Sequence, residues 1–246
     1  MTLAVLLGAC SAESPDSGSA TTGSPKTTAP TEADEPSDGL FNPFDPDEPT
    51  LPGGVKVLSQ DVEGFAPVDA GRYAVRVSES LLYQFDLPAY SDVHSGVYLN
   101  PGRRAGGDSI VWLTQANKRT SLPVHPCRNH DRKVVGPTVG DLASALHRQP
   151  YLTTTKPVAV TVGGADGLFV KASVPDDANV SACQDGSVDV IMQDPQGVEE
   201  PGTVDRIWIL DVDGVRHVLR ARTFGATKRD AKLVTQLVKS ITFTQD

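Results

Sequence analysis

The residue types able to do chemistry gather in a few short stretches of this chain. His125-Pro-Cys127-Arg-Asn-His130-Asp131 holds metal-ligand types at close spacing. A zinc site wants Cys or His in recognised pairs with a second half elsewhere. No second pair follows, and Pro126 stiffens the segment. Asp211 and Asp213 stand at i and i+2, a spacing that puts two carboxylates on one face of a strand. Acid/base work or calcium binding would use such a pair, but the spaced oxygen ligands of a calcium loop are missing. The favoured reading gives Asp213 to a turn and pairs Asp211 with Arg220 or Arg222 across a hairpin.

Gly163-Gly164-Ala-Asp-Gly167 lacks the Lys and Ser/Thr of a phosphate loop, and a strand pattern follows it. Asp176-Asp177-Ala-Asn179 reads as a loop with Asx turns. His94 and His217 are isolated, and no Gly-x-Ser-x-Gly elbow exists. Trp112, Trp208 and Phe169 read as core. The expectation is therefore no catalytic, no cofactor-binding and no metal-ligating residue, hence no cofactor.

Cys10 is different. It ends the apolar run Met1-Thr-Leu-Ala-Val-Leu-Leu-Gly-Ala-Cys10, and Leu7-Gly8-Ala9-Cys10 resembles a bacterial lipobox. The resemblance implies cleavage before Cys10 and a diacylglycerol on its thiol. Each buried methylene contributes on the order of 0.8 kcal/mol, and two acyl chains hold where one is marginal. Residues 1–9 are read as a signal peptide. No Lys or Arg precedes Cys10, whereas such peptides carry a basic n-region. The true start is accordingly expected upstream. No apolar run elsewhere approaches the roughly 20 residues of a membrane-spanning helix.

With Cys10 acylated, Cys127 and Cys183 remain in an oxidising compartment, where two cysteines of an exported domain pair. In the chain-entropy account, closing a loop of this length contributes about 4 kcal/mol.

Residues 11–50 are nearly all Ser, Thr, Pro, Ala, Gly, Asp and Glu. They cannot bury enough apolar surface to offset the entropy of ordering, so residues 10–50 read as a lipidated cysteine on a disordered tether. Such a chain spans roughly 30–40 Å. It holds nine carboxylates against Lys26, a net −8 of the chain's −9, which leaves residues 51–246 near −1. A near-neutral domain argues against a nucleic-acid partner. Leu40, Phe41 and Phe44 interrupt the tract and suggest a segment that docks on the domain.

Residues 51–246 suffice for one domain with a real core. Period-two alternation marks strands at Arg72 to Val77, Leu82 to Phe85, Val97 to Leu99, Ile110 to Leu113, Val158 to Val162, Leu168 to Val174 and Val188-Asp-Val190. The strongest local signal is Asp213-Gly214 between Ile207 to Val212 and Val215 to Ala221, the chemistry of a type I′ hairpin. Asp166-Gly167 after Gly163-Gly164 reads as a second such turn. Thr138 and Thr227 can each cap a helix, with Asp141 and Asp230 at the third position. Apolar residues follow at helical spacing, Pro150 stops the first run, and Ile241-Thr-Phe243 reads as a closing edge strand. These patterns predict an α+β fold, a single domain with a mostly antiparallel sheet and two packed helices.

The stretches Asp141-Leu-Ala-Ser-Ala-Leu, Val160-Thr-Val-Gly-Gly-Ala-Asp-Gly, Cys183, Asp205-Arg-Ile-Trp-Ile-Leu-Asp-Val-Asp-Gly and Val238-Lys-Ser-Ile-Thr-Phe resemble uncharacterised actinobacterial lipoproteins, across about residues 65–246. That family implies no activity. The last helix with Ser240-Ile241-Thr242-Phe243 is also similar to the end of PsbP-like α/β/α sandwich domains.

The expected protein is thus a lipoprotein on the extracytoplasmic face of the cell membrane. It is held to the bilayer by acylated Cys10 and displays a binding or accessory module to an envelope protein or a small ligand. One alternative is an envelope hydrolase drawing His125, His130 or Asp211 into one cleft; another is a structural or assembly subunit.

Overall fold

The Asp213-Gly214 dipeptide sits where two β-rich runs meet, and both residues adopt the positive φ that a two-residue hairpin turn requires, 53° and 79°. The architecture is that of a computed structural model of the protein. It describes Phe44 and residues 50–60, 64–95, 97–103, 109–115, 120–191, 200–224 and 227–245. All of these belong to one compact unit, Gly39–Asp246. Residues 1–9, Cys10 and the tether other than Phe44 and Thr50 lie outside the described residues.

The chain runs through β1 (Lys56–Leu58), β2 (Ala66–Val68), β3 (Gly71–Ser78), β4 (Leu81–Leu87), β5 (Ser91–His94) and β6 (Tyr98–Asn100). It continues with β7 (Ser109–Gln115), β8 (Ser121–His125), β9 (Asn129–Val134) and helix α1 (Val139–His147). The second half holds β10 (Thr153–Thr154), β11 (Val158–Val162), β12 (Ala165–Ser173), β13 (Val204–Val212), β14 (Val215–Thr223), helix α2 (Lys228–Ser240) and β15 (Thr242–Gln245).

A nine-stranded sheet has the order β2-β5-β6-β7-β14-β13-β12, with β10 and β11 lying in succession along the outer edge of β12. A four-stranded sheet has the order β1-β3-β4-β15, and β8 and β9 form a separate ribbon. Every pairing between strands is antiparallel except β1 with β3, among the described residues. With two helices this is the α+β, mostly antiparallel fold that the alternation predicts.

Both faces of the large sheet are covered at its centre, so β13 and β14 are buried along almost their whole length. On one face Leu210, Leu219 and Ala221 join Tyr83 and Phe85 of β4 and Val234, Leu237 and Val238 of α2 in a single core. On the other, Val170, Ala172, Ile207, Ile209 and Val218 pack against Leu142, Ala143 and Leu146 of α1 and Leu122 of β8. Each fully buried Leu, Ile or Val contributes about 1.5–3 kcal/mol, so both helices are held by their apolar stripes rather than by propensity. Their starts are local: Thr138 and Thr227 accept from the backbone N–H of Asp141 and Asp230. Phe44 also reaches the first core, stacked on Tyr73 with the Lys56 ammonium 4.4 Å from its ring centre.

Three expectations are corrected. Residues 188–190 form no strand; Val188 and Val190 are buried, but the Asp189 N–H is taken by the Pro126 carbonyl at 2.9 Å. The turn after β11 is Gly163-Gly164 alone, since Asp166 and Gly167 already lie in β12 opposite Thr161 and Val160. Gly167 is required there for space: a Cβ would stand 2.2 Å from the Ile209 carbonyl oxygen. Finally, Asp211 faces Arg216 across the hairpin, and Arg220 and Arg222 instead meet Asp205.

Candidate functional site

The ribbon β8–β9 and helix α1 enclose a groove of about 570 Å³. Its helix wall is set by the reciprocal cap in which Asp141 N–H donates to Thr138 Oγ1 and Thr138 N–H to Asp141 Oδ2, both at 3.0 Å. Arg216 reaches up from β14 and donates to the carbonyls of Gly136 and Thr138 at 2.6 and 3.0 Å, tying the chain before α1 to the sheet. The Thr138 N–H and hydroxyl, with Arg216 beyond, hold the Asp141 carboxyl below the usual carboxylate range.

The ribbon wall is pinned from behind. Arg132 donates to the carbonyls of Ser121 and Ile191 at 2.8 Å each and pairs with Asp189. At the ribbon's turn Cys127 is linked to Cys183, with Cα atoms 4.6 Å apart, as the cysteine pairing anticipated. Gln184 N–H donates to the Cys127 carbonyl at 2.6 Å. Val174, Val180 and Val188 pack around the two cysteines.

The candidate histidines are consumed by this turn. His125 Nδ1 accepts the N–H groups of Cys127 and Arg128, both at 3.1 Å, and His130 Nε2 donates to the Pro126 carbonyl at 2.8 Å. Asp211 sits on another hairpin, where Oδ1 accepts the Gly214 N–H at 2.7 Å. Asp213 occupies the turn itself and accepts from Gln245. Of the residues of the hydrolase alternative, His125 and His130 share the ribbon turn, while Asp211 stands on the β13–β14 hairpin. No group of three or more His, Cys, Asp or Glu could share a metal ion among the described residues.

The groove offers a different chemistry. Val124 and Val134 stand 51% and 63% exposed on its ribbon side, beside Pro123 and Lys133. Ser144, Ala145 and Arg148 face them from α1. At its floor lies Gln149, 7% exposed, whose Nε2 donates to the Pro123 carbonyl at 3.3 Å. Its Oε1 is buried and accepts no hydrogen bond among the described residues. A buried acceptor without a donor costs about 1–3 kcal/mol. Lys133 and Arg148 add cationic rims, while the nearby Asp141 is already satisfied by its cap.

Gln149 was missed by sequence reasoning, yet a signal existed. It lies three residues after Leu146, on the apolar stripe of α1 prolonged to Pro150, and a polar residue there is a buried polar residue. Val124 and Val134 gave no signal, because exposure is set by where the ribbon folds.

Two polar contacts in the core were also unforeseen. The Tyr83 hydroxyl meets His217 Nδ1, with His217 1% exposed. Arg220 makes two bonds to Asp205, 2.9 and 2.7 Å, and lies 5.1 Å from the centre of the Trp112 ring. No protein-family model matches the chain, and no curated protein or solved structure is significantly similar to it.

Proposed function

We propose that the chain is a membrane-anchored extracytoplasmic lipoprotein, acylated at Cys10, whose domain is a binding or accessory module for a cell-envelope partner or small ligand. The observation that carries the binding role is the groove floored by Gln149 and walled by exposed Val124 and Val134. The open trough, the exposed valines and the cationic rims at Lys133 and Arg148 favour an extended peptide with acidic and apolar residues. The anchor rests on Leu7-Gly8-Ala9-Cys10 and the polar tract after it. The likeness to actinobacterial lipoproteins, and the PsbP-like likeness of α2 and β15, belong to this same reading.

Two measurements test it. Metabolic labelling with radioactive palmitate, in a host that lipidates exported cysteines, labels the wild type and not Cys10→Ser. Equal labelling of both removes the anchor. Fluorescence anisotropy with a library of extended acidic–apolar peptides yields binders whose affinity falls at least tenfold in Val134→Asp. Binding that ignores this substitution, or no binder at all, removes the groove.

A further inference from the structure

The face of the large sheet that carries α2 is not covered to its edge. Val158 of β11 lies opposite Phe169 of β12, and Phe169 opposite Trp208 of β13. Trp208 in turn lies opposite Leu219, a core residue beneath α2. All four therefore share one face. Val158 is 55% exposed, Phe169 and Trp208 are half-buried, and the two rings lie 5.2 Å apart. A shallow hollow of about 260 Å³ runs between this patch and α2, with Val160 and Trp208 on one side and Thr235 and Lys239 on the other.

Among the described residues, the charges on this face of the patch have one sign. Lys171 and Arg206 are paired in register and alternate with Phe169 and Trp208, so they share the same face. On α2, Lys232, Thr235 and Lys239 fall on one line at helical spacing, and all three are exposed. Helix α2 has four cations and a single carboxylate, Asp230, which is buried. The carboxylates of β12 and β13 that flank this region, Asp166, Asp205 and Asp211, alternate onto the opposite face. Half-exposed aromatic rings beside lysines form the pattern of a water–lipid interface: the rings sit at head-group depth and the ammonium groups meet anionic phosphates. A nucleic acid gains nothing from Val158 and Val160.

The geometry points to this face, Val158, Phe169 and Trp208 with Lys171, Lys232 and Lys239, as the surface that seats the domain on an anionic bilayer. The anchor at Cys10 would supply proximity; the contact itself stands without it. The test therefore uses the full chain carrying Cys10→Ser, so that failure of the anchor and failure of this face are read separately. Vesicles of equal phosphatidylglycerol and phosphatidylcholine are compared with pure phosphatidylcholine. Trp112 is buried on the opposite face, so a blue shift of tryptophan emission on binding reports Trp208. The expected result is co-sedimentation with the anionic vesicles only, a blue shift absent in Trp208→Phe, and at least tenfold weaker binding in the folded Lys232→Glu/Lys239→Glu variant. No co-sedimentation at low salt overturns the proposal, as does binding unaltered by the charge reversals. So does a Trp208 shift that follows protein concentration without vesicles, which would assign the face to a second copy of the chain.

Discussion

The Tyr83 hydroxyl shares a hydrogen bond with Nδ1 of His217 and so joins the four-stranded sheet to the nine-stranded one through the middle of the first core. Burial depresses the His217 pKa from 6.5, outweighing Asp211 and Asp213, and raises that of Tyr83 above 10.0. Burial therefore favours the neutral form of both groups. The unfolded chain takes up a proton at His217 below about pH 6.5 while the folded one does so only at lower pH, so stability falls as pH drops below about 6.5. Above about pH 10 the unfolded chain loses the Tyr83 proton first, and stability falls again. Melting temperature against pH should show a shoulder on each side. His217→Asn, which keeps an acceptor, should flatten the acid side, and Tyr83→Phe should remove the alkaline contribution and cost about 1–3 kcal/mol.

The Cys127–Cys183 link closes 56 residues of sequence and ties the turn of the ribbon to the segment before residue 188. Urea unfolding of the Cys127→Ala/Cys183→Ala variant should show a loss of about 4 kcal/mol on the loop-entropy account. Hydrogen exchange should locate the first loosening in β8–β9, since its ties to residues 184 and 189 depend on that proximity.

Asp205 is 1% exposed and holds Arg220 with two bonds, with Arg222 Nε 3.6 Å away. Asp205→Asn keeps the shape but removes the charge from among buried guanidinium groups, and should cost about 3–5 kcal/mol. The double variant Asp205→Asn/Arg220→Met should recover part of that loss, which chemical denaturation of the four species measures as a coupling.

Gly167 and Gly164 separate crowding from backbone strain. A Cβ at Gly167 runs into the Ile209 carbonyl, so Gly167→Ala should part β12 from β13 and cost about 3 kcal/mol. At Gly164 nothing stands within 4 Å, but φ is +87°, and Gly164→Ala should cost only about 1 kcal/mol. Thermal melts of the two variants should differ by several degrees; equal losses would refute the distinction.

Features made by neighbouring residues were legible in the sequence. The caps at Thr138 and Thr227, the turn at Asp213-Gly214 and the edge strand after Ile241 depend on a few consecutive positions. The short strands β1, β2, β5, β8 and β9 were not, since Pro67 and Pro123 interrupt two of them and three to six residues carry little periodicity. The Asp205–Arg222 register was in fact available: counting outward from Val212 opposite Val215 places Asp205 across from Arg222. Period alone gives only a face, which Asp205 and Asp211 share, and so Asp211 was paired with the wrong arginines. Residues 188–190 alternate like a strand but find their partners in the carbonyls of a disulfide-linked turn. The groove was invisible because its two walls come from separate elements, and only Gln149 on the α1 stripe hinted at it.

The position of α2 and β15 governs when this domain can fold. Val234, Leu237 and Val238 fill the space between the two sheets, and β15 pairs with β4, some 160 residues earlier in the chain. A chain emerging N-terminus first therefore has no complete first core until residue 245 is free, however much of β3 to β14 has already appeared. The first core therefore closes only after α2 and β15 have emerged, with the slow closure expected of so distant a pairing. A chain whose first core is still open can be threaded through a channel, the condition that the proposed export through the membrane imposes.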